Sequence, residues 1–193
     1  MYQPNLKRML AYSSISHSGY MLLAVVAFSP MSNNALLLYT LSYSIATITA
    51  FGILILIREA HGNDFFTSMN GMAKTNPLEA FCLTVAMLSL TGIPPLAGFW
   101  SKLIIIVALW MSGLYFYAFV AVAGSVLTLA YFLSLQRKVF FGKLGEGLSG
   151  VKEAGFGLAF PAVLLALLTV GAGLFLPVIL RVFILPVSAI VGG

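Results

Sequence analysis

The chain has 193 residues, of which 61% are hydrophobic and only 8% charged, and its mean hydropathy is +1.04. Soluble domains carry about a quarter of their residues as charges, so this composition excludes one and points to an integral, multi-pass membrane protein in contact with the lipid bilayer. The net charge of +5 comes from basic residues scattered along the chain rather than gathered on one stripe, which excludes nucleic acid as the partner.

The N-terminal MYQPNLKRML lacks the small-residue cleavage site of a secretory signal and runs directly into an apolar run, so no removed leader is expected. Six membrane-length segments follow, against the roughly 17–25 residues that cross a hydrocarbon core of about 30 Å. They run over about 9–28, 34–57, 77–90, 94–111, 114–135 and 156–180, in one transmembrane domain over 1–193. Ser29-Pro30 closes the first, and Arg58-Glu59 ends the second. A Gly-, Asn- and Asp-containing stretch from His61 to Asn76 reads as an interfacial loop. The third segment opens with Pro77 and places Glu79 in its first turn, where the helix dipole favours an anion. The fourth is interrupted between Gly92 and Lys102, and a second polar loop around QRKVFFGKLGEGLSGVKEAG precedes the sixth. If six spans alternate, Lys7, Arg8, Arg58 and Lys74 fall on one side and Arg137, Lys138, Lys143 and Lys152 on the other. The positive-inside rule then gives no orientation.

The interrupted stretch LSLTGIPPLAGFWSK, residues 88–102, carries the strongest chemical signal. Gly92, Pro94, Pro95 and Gly98 break the apolar run, and Lys102 lies inside the run that restarts. A lysine at bilayer depth costs roughly 3 kcal/mol or more unless it meets water, a counter-charge or the bundle interior. Carbonyls freed by the break, in a protein-lined pocket, are able to solvate an ammonium. An ion or proton site is the first expectation; snorkelling to an interface is the alternative. Two further polar stripes lie inside spans. Ser13, Ser14, His17 and Ser18 form a ridge on the first helix, with His17 able to exchange a proton near neutral pH. Its alternative is a buried histidine satisfied by a serine or a carbonyl. Tyr39, Tyr43 and Thr47 recur every four residues on the second helix beside Ser42, which suits either a proton path or plain interhelical hydrogen bonding. Ser101 adjoins Lys102. Cys82 is the sole cysteine, and the two histidines, His17 and His61, are far apart, so neither a disulfide framework nor a metal site is expected.

LKRMLAYSSISHSGY at 6–20, YTLSYSIATITAFG at 39–52, LSLTGIPPLAGFWSK at 88–102 and RKVFFGK at 137–143 together resemble the antiporter-like, proton-translocating membrane subunits of respiratory complex I, NADH:quinone oxidoreductase, closest to the subunit 2 or N type. The resemblance implies an all-α membrane fold of about six transmembrane helices, one interrupted. They would be the C-terminal part of a subunit of about fourteen helices built from inverted repeats with broken helices. It implies that Lys102 is the lysine at the outer end of a proton path lined by His17, Tyr43, Ser101 and Thr47, with the Gly92, Pro94, Pro95 and Gly98 break giving mobility. It also places the RKVFFGK loop on the cytoplasmic or matrix side. The host would be a bacterial cytoplasmic (inner) membrane or another energy-transducing membrane. Partner subunits, including a chain that supplies the preceding helices, would hold NADH, FMN, iron–sulfur clusters and quinone. This chain itself holds no cofactor and no redox catalytic site, and it is expected to be a split-gene product or a truncated relative. A partly desolvated lysine can reach its neutral state, and a charge change nearby in a low-dielectric interior can then drive its proton off. Related alternatives are a subunit of a membrane-bound hydrogenase, a multisubunit cation/proton antiporter, or a non-conducting structural subunit of the membrane arm.

Overall fold

The computed structural model describes residues 5–61, 70–141, 156–179 and 181. The elements among them are helices: α1 (Leu6–Ala27), α2 (Pro30–His61), α3 (Met72–Thr75), α4 (Pro77–Thr91), α5 (Ala97–Met111), α6 (Tyr115–Phe141), α7 (Phe156–Leu174) and α8 (Leu176–Ile179). The six long helices are the six expected apolar segments, but several extend past the apolar residues. Caps set these ends rather than hydropathy. The Asn5 side chain accepts the Arg8 backbone N–H at 3.0 Å and starts α1. Ser29 and Ser32 each accept the other's backbone N–H, at 3.1 and 3.0 Å, with Pro30 between them at the first position of α2. Half of the first expected polar loop, residues 62–69, and most of the second, residues 142–155, lie outside the described residues, as do the last twelve.

Two apolar cores are stacked along the bundle. One gathers Met9 and Leu10 at the start of α1, Ala46 to Leu54 on α2, Met72, α4 from Ala80 to Leu90, Phe132 to Val139 on α6, and Ala162 and Ala166 on α7. The other gathers Tyr20 to Ala27 on α1, Ala35 and Tyr39 on α2, Ile105 to Leu109 on α5, and Ala118 and Ala121 on α6. The start of α1 therefore shares an end of the bundle with the end of α2, the start of α4 and the end of α6. At the opposite end, Ser112, just past α5, donates to the Ala27 carbonyl at the end of α1.

This layout places α4 and α5 in sequence across one membrane thickness. Each has 15 residues, ~22 Å at 1.5 Å per residue, less than the hydrocarbon core of about 30 Å. They are the two arms of one interrupted crossing, so the six helices make five passes. The break itself is Gly92 to Leu96, shorter than expected, and Lys102 sits in the continuous helix α5 rather than in the break. The even division of charge is corrected by the same geometry. Thr84 on α4 donates to Gln136 on α6 at 3.1 Å, which brings Arg137 to the end that also carries Lys7, Arg8 and Lys74. All four side chains are exposed. Six alternating spans had put α6 upside down.

The break is a close-packed joint. Gly92 ends α4 at φ 88°, where L side chains are strained, and its N–H with that of Ile93 returns to the carbonyls of Leu88 and Ser89, the Schellman closure. A Cβ on Gly98 would overlap the Ser89 carbonyl, and one on Gly173 would overlap the Pro95 carbonyl, so α5 and α7 both approach the joint through glycine. Gly98→Ala is expected to destabilise the protein by about 1–3 kcal/mol as overpacking against backbone. Gly19→Ala, where nothing lies within 4 Å, is expected to stay within about 0.5 kcal/mol of neutral. Thermal midpoints in detergent compare the two, and equal effects would refute the close-packed joint.

Candidate functional site

Lys102 lies on the second turn of α5 and is 4% exposed. A helical side chain leans toward its own N-terminus, so Lys102 reaches back over the break to the end of α4. Its Nζ donates to the carbonyls of Leu90 and Thr91, both at 2.8 Å. The Schellman closure uses the carbonyls of Leu88 and Ser89, leaving the next two for the ammonium. These last carbonyls also form the negative end of the α4 dipole. Two hydrogen bonds to a charged group, each worth about 1.5–3 kcal/mol, match the ~3 kcal/mol cost of placing a lysine at this depth. Snorkelling is excluded, since the side chain turns inward to the joint. A Cβ on Gly92 would come within 2.9 Å of Lys102 Cδ, so the same glycine that closes α4 also makes room for the lysine.

His17, 3% exposed, faces this lysine from α1 across a small cavity. The cavity is lined by His17, Tyr39, Ser42, Tyr43, Ser89, Leu90, Gly98 and Lys102 and leaves about 10 Å³ for the centre of a water, the lower limit for holding one. His17 Nδ1 pairs with the Tyr39 hydroxyl at 2.7 Å, while its Nε2 and the Ser89 hydroxyl are buried without a partner. These two atoms are the places a transferable proton or a water would engage. Tyr43 lies against the His17 ring, centroids 4.8 Å apart, and donates to Ser14 Oγ at 2.9 Å. Its ring touches both apolar cores, which fixes the polar layer between them.

The structure brings Lys102, His17 and Tyr43 to one cavity. Ser101 adjoins it: fully buried, it donates to the carbonyls of Ala97 and Gly98 and lies 3.5 Å from Ser42 Oγ. Thr47 does not line the cavity. It lies one turn beyond Tyr43, toward the core around α4, with its hydroxyl buried and unpartnered. Of the break residues, Gly98 lines the cavity and Gly92 contacts Lys102, while Pro94 and Pro95 are exposed and shape the joint only. Tyr39 and Ser42 belonged to the polar stripe read on α2 without being singled out. Ser89 was missed, and its signal was its position three residues before Gly92, on the turn that the Schellman closure uses. Among the described residues no group of three metal-ligating side chains occurs.

A family model described as "NADH:quinone oxidoreductase/Mrp antiporter, TM" matches residues 1–128. "NADH-quinone oxidoreductase subunit N 2" of Herpetosiphon aurantiacus is 39% identical over 172 residues, which is 89% of this chain and 32% of that protein. The chain thus spans about a third of the length of that relative. A chain of respiratory complex I from Thermus thermophilus superposes with a TM-score of 0.76 and 30% identity, over 93% of this chain and 40% of that one. A chain of the Mrp complex from Dietzia sp. DQ12-45-1b gives a TM-score of 0.80 at 28% identity, over 89% and 40%. With the helices, joint and buried lysine already in place, these matches settle the family: the chain belongs to the membrane-spanning NADH:quinone oxidoreductase/Mrp antiporter family.

Proposed function

We propose that this chain conducts protons as part of the membrane arm of an NADH:quinone oxidoreductase, with Lys102 as the exchanging group. The carrying observation is the Lys102 ammonium itself, buried at a helix break, hydrogen-bonded to backbone carbonyls and facing a polar cavity with His17. A purely structural lysine at this depth is costly, whereas an exchanging one needs a site that stabilises the charge and also offers a route for the proton. The route offered here is His17 Nε2 and the serine and tyrosine hydroxyls around the cavity. The driving event is electrostatic: a positive charge arriving several ångströms away in a low-dielectric interior repels the ammonium's proton. NADH, FMN, iron–sulfur clusters and quinone belong, on this reading, to partner subunits. The superposition on a chain of the Mrp complex supports a second reading, a multisubunit cation/proton antiporter built on the same lysine.

The shared end that carries Lys7, Arg8, Lys74 and Arg137 faces the cytoplasm or matrix by the positive-inside rule. The Lys102 arm, α5, then faces the opposite compartment, in a bacterial inner membrane or another energy-transducing membrane.

Lys102→Met is expected to lower the protons moved per electron pair in membrane vesicles while the assembly stays intact on a native gel. An unchanged ratio in a fully assembled complex would sink the proton reading. For orientation, Lys74→Cys and Arg137→Cys should both react with an impermeant maleimide only from the cytoplasmic face, and Met111→Cys only from the other. Labelling of Lys74→Cys and Arg137→Cys from opposite faces would overturn the five-pass layout.

A further inference from the structure

We infer that Tyr20 is a positioning residue for Lys102, its ring holding the ammonium in the docked position at the joint. The inference rests on the proton reading above, which uses Lys102 but not Tyr20. Lys102 Nζ lies 5.1 Å from the centroid of the Tyr20 ring, inside the roughly 6 Å over which a ring face attracts a cation. Tyr20 is 5% exposed, so little water competes with that attraction. The attraction acts on the ammonium and not on the neutral amine, so the ring favours the docked, charged state.

The ring is held in place from two sides. Its hydroxyl donates to the Ala121 carbonyl on α6, and Ser125 Oγ, 2.6 Å away, donates to the same hydroxyl. A Cβ on Gly124 would come within 3.2 Å of that hydroxyl, a tight contact that the glycine avoids. Tyr39, the hydrogen-bond partner of His17, stacks on Tyr20 with centroids 5.8 Å apart and planes 23° apart. One aromatic pair thus spans the gap between the two ionisable groups of the cavity. A displacement of the α6 backbone around Ala121 to Ser125 must move the ring, and with it the electrostatic environment of a lysine on another helix.

The competing account is that Tyr20 only fills the apolar core in which it sits. Two substitutions separate the accounts, because Tyr20→Phe keeps the ring and Tyr20→Leu removes it. In membrane vesicles carrying the whole assembly, Tyr20→Leu is expected to lower the initial rate of proton transport about threefold to thirtyfold, and Tyr20→Phe to recover most of it. A Leu variant as active as the parent overturns the inference, and so does a Phe variant as impaired as Leu. A second readout does not depend on transport. In the purified assembly, the loss of thermal midpoint caused by Tyr20→Leu should be smaller in a Lys102→Met background than in the parent. An equal loss in both backgrounds means that ring and ammonium are not coupled, which overturns the inference even if Lys102 carries protons. If Lys102→Met leaves transport intact yet the two residues are coupled in the melting cycle, the proton reading fails and the positioning contact stands.

Discussion

The joint between α4 and α5 is organised around the pair of hydrogen bonds from Lys102 to the carbonyls of Leu90 and Thr91. A helix that stops inside a bilayer leaves carbonyls that no water can reach, and a lysine inside a bilayer is a cation that no water solvates. Each defect is expensive alone, and each supplies what the other lacks. The donor comes from α5 and the acceptors from α4, so the interaction is also the clasp between the two arms. An ammonium clasps more strongly than an amine, because hydrogen bonds from a charged donor are the stronger kind. Protonation of Lys102 and closure of the joint are therefore linked.

The rest of the bundle holds this clasp at a fixed depth. α2 has 32 residues, ~48 Å at 1.5 Å per residue, and runs beside both arms as a splint: Ser42 approaches Ser101 on α5, and Ala46 to Leu54 pack in the core that contains α4. Its alanines, and the glycines at 98 and 173, let backbones approach where larger side chains would hold them apart. α7 passes close enough to the Pro95 carbonyl that the joint cannot open on that side without moving a second helix.

The apolar segments and the break were legible in the sequence because each leaves a local mark: long hydrophobic runs, and Gly and Pro at the interruption. The inward docking of Lys102 was legible because its cost at that depth demands a compensating group. The number of passes was not legible. Pro77–Thr91 and Ala97–Met111 each look like a short span, and only the stacking of two separate cores shows that they share one crossing. That error carried the basic residues after α6 to the wrong end. Faces were also hidden, since outward residues such as Ile15, Phe119 and Leu127 are as apolar as the core, and periodicity fades when lipid replaces water outside. Thr47 illustrates the limit of stripe reasoning. Its i+4 spacing from Tyr43 is correct, but the cavity ends a turn earlier.

The stacking of an apolar core on each side of the polar layer has an electrical consequence. Packed apolar side chains are poor dielectrics, so the voltage across the bilayer falls mainly through the two cores and little through the cavity between them. Lys102 then sits at an intermediate potential, separated from either face by a fraction of the total drop. Moving one elementary charge across the full membrane is worth about 2.3 kcal/mol per 100 mV, and each half of the bundle carries its share of that amount. Under the proton exchange proposed above, occupancy of the buried ammonium would respond to the membrane voltage as well as to the proton concentration on either side, through the thickness of two layers of alanine, leucine and phenylalanine.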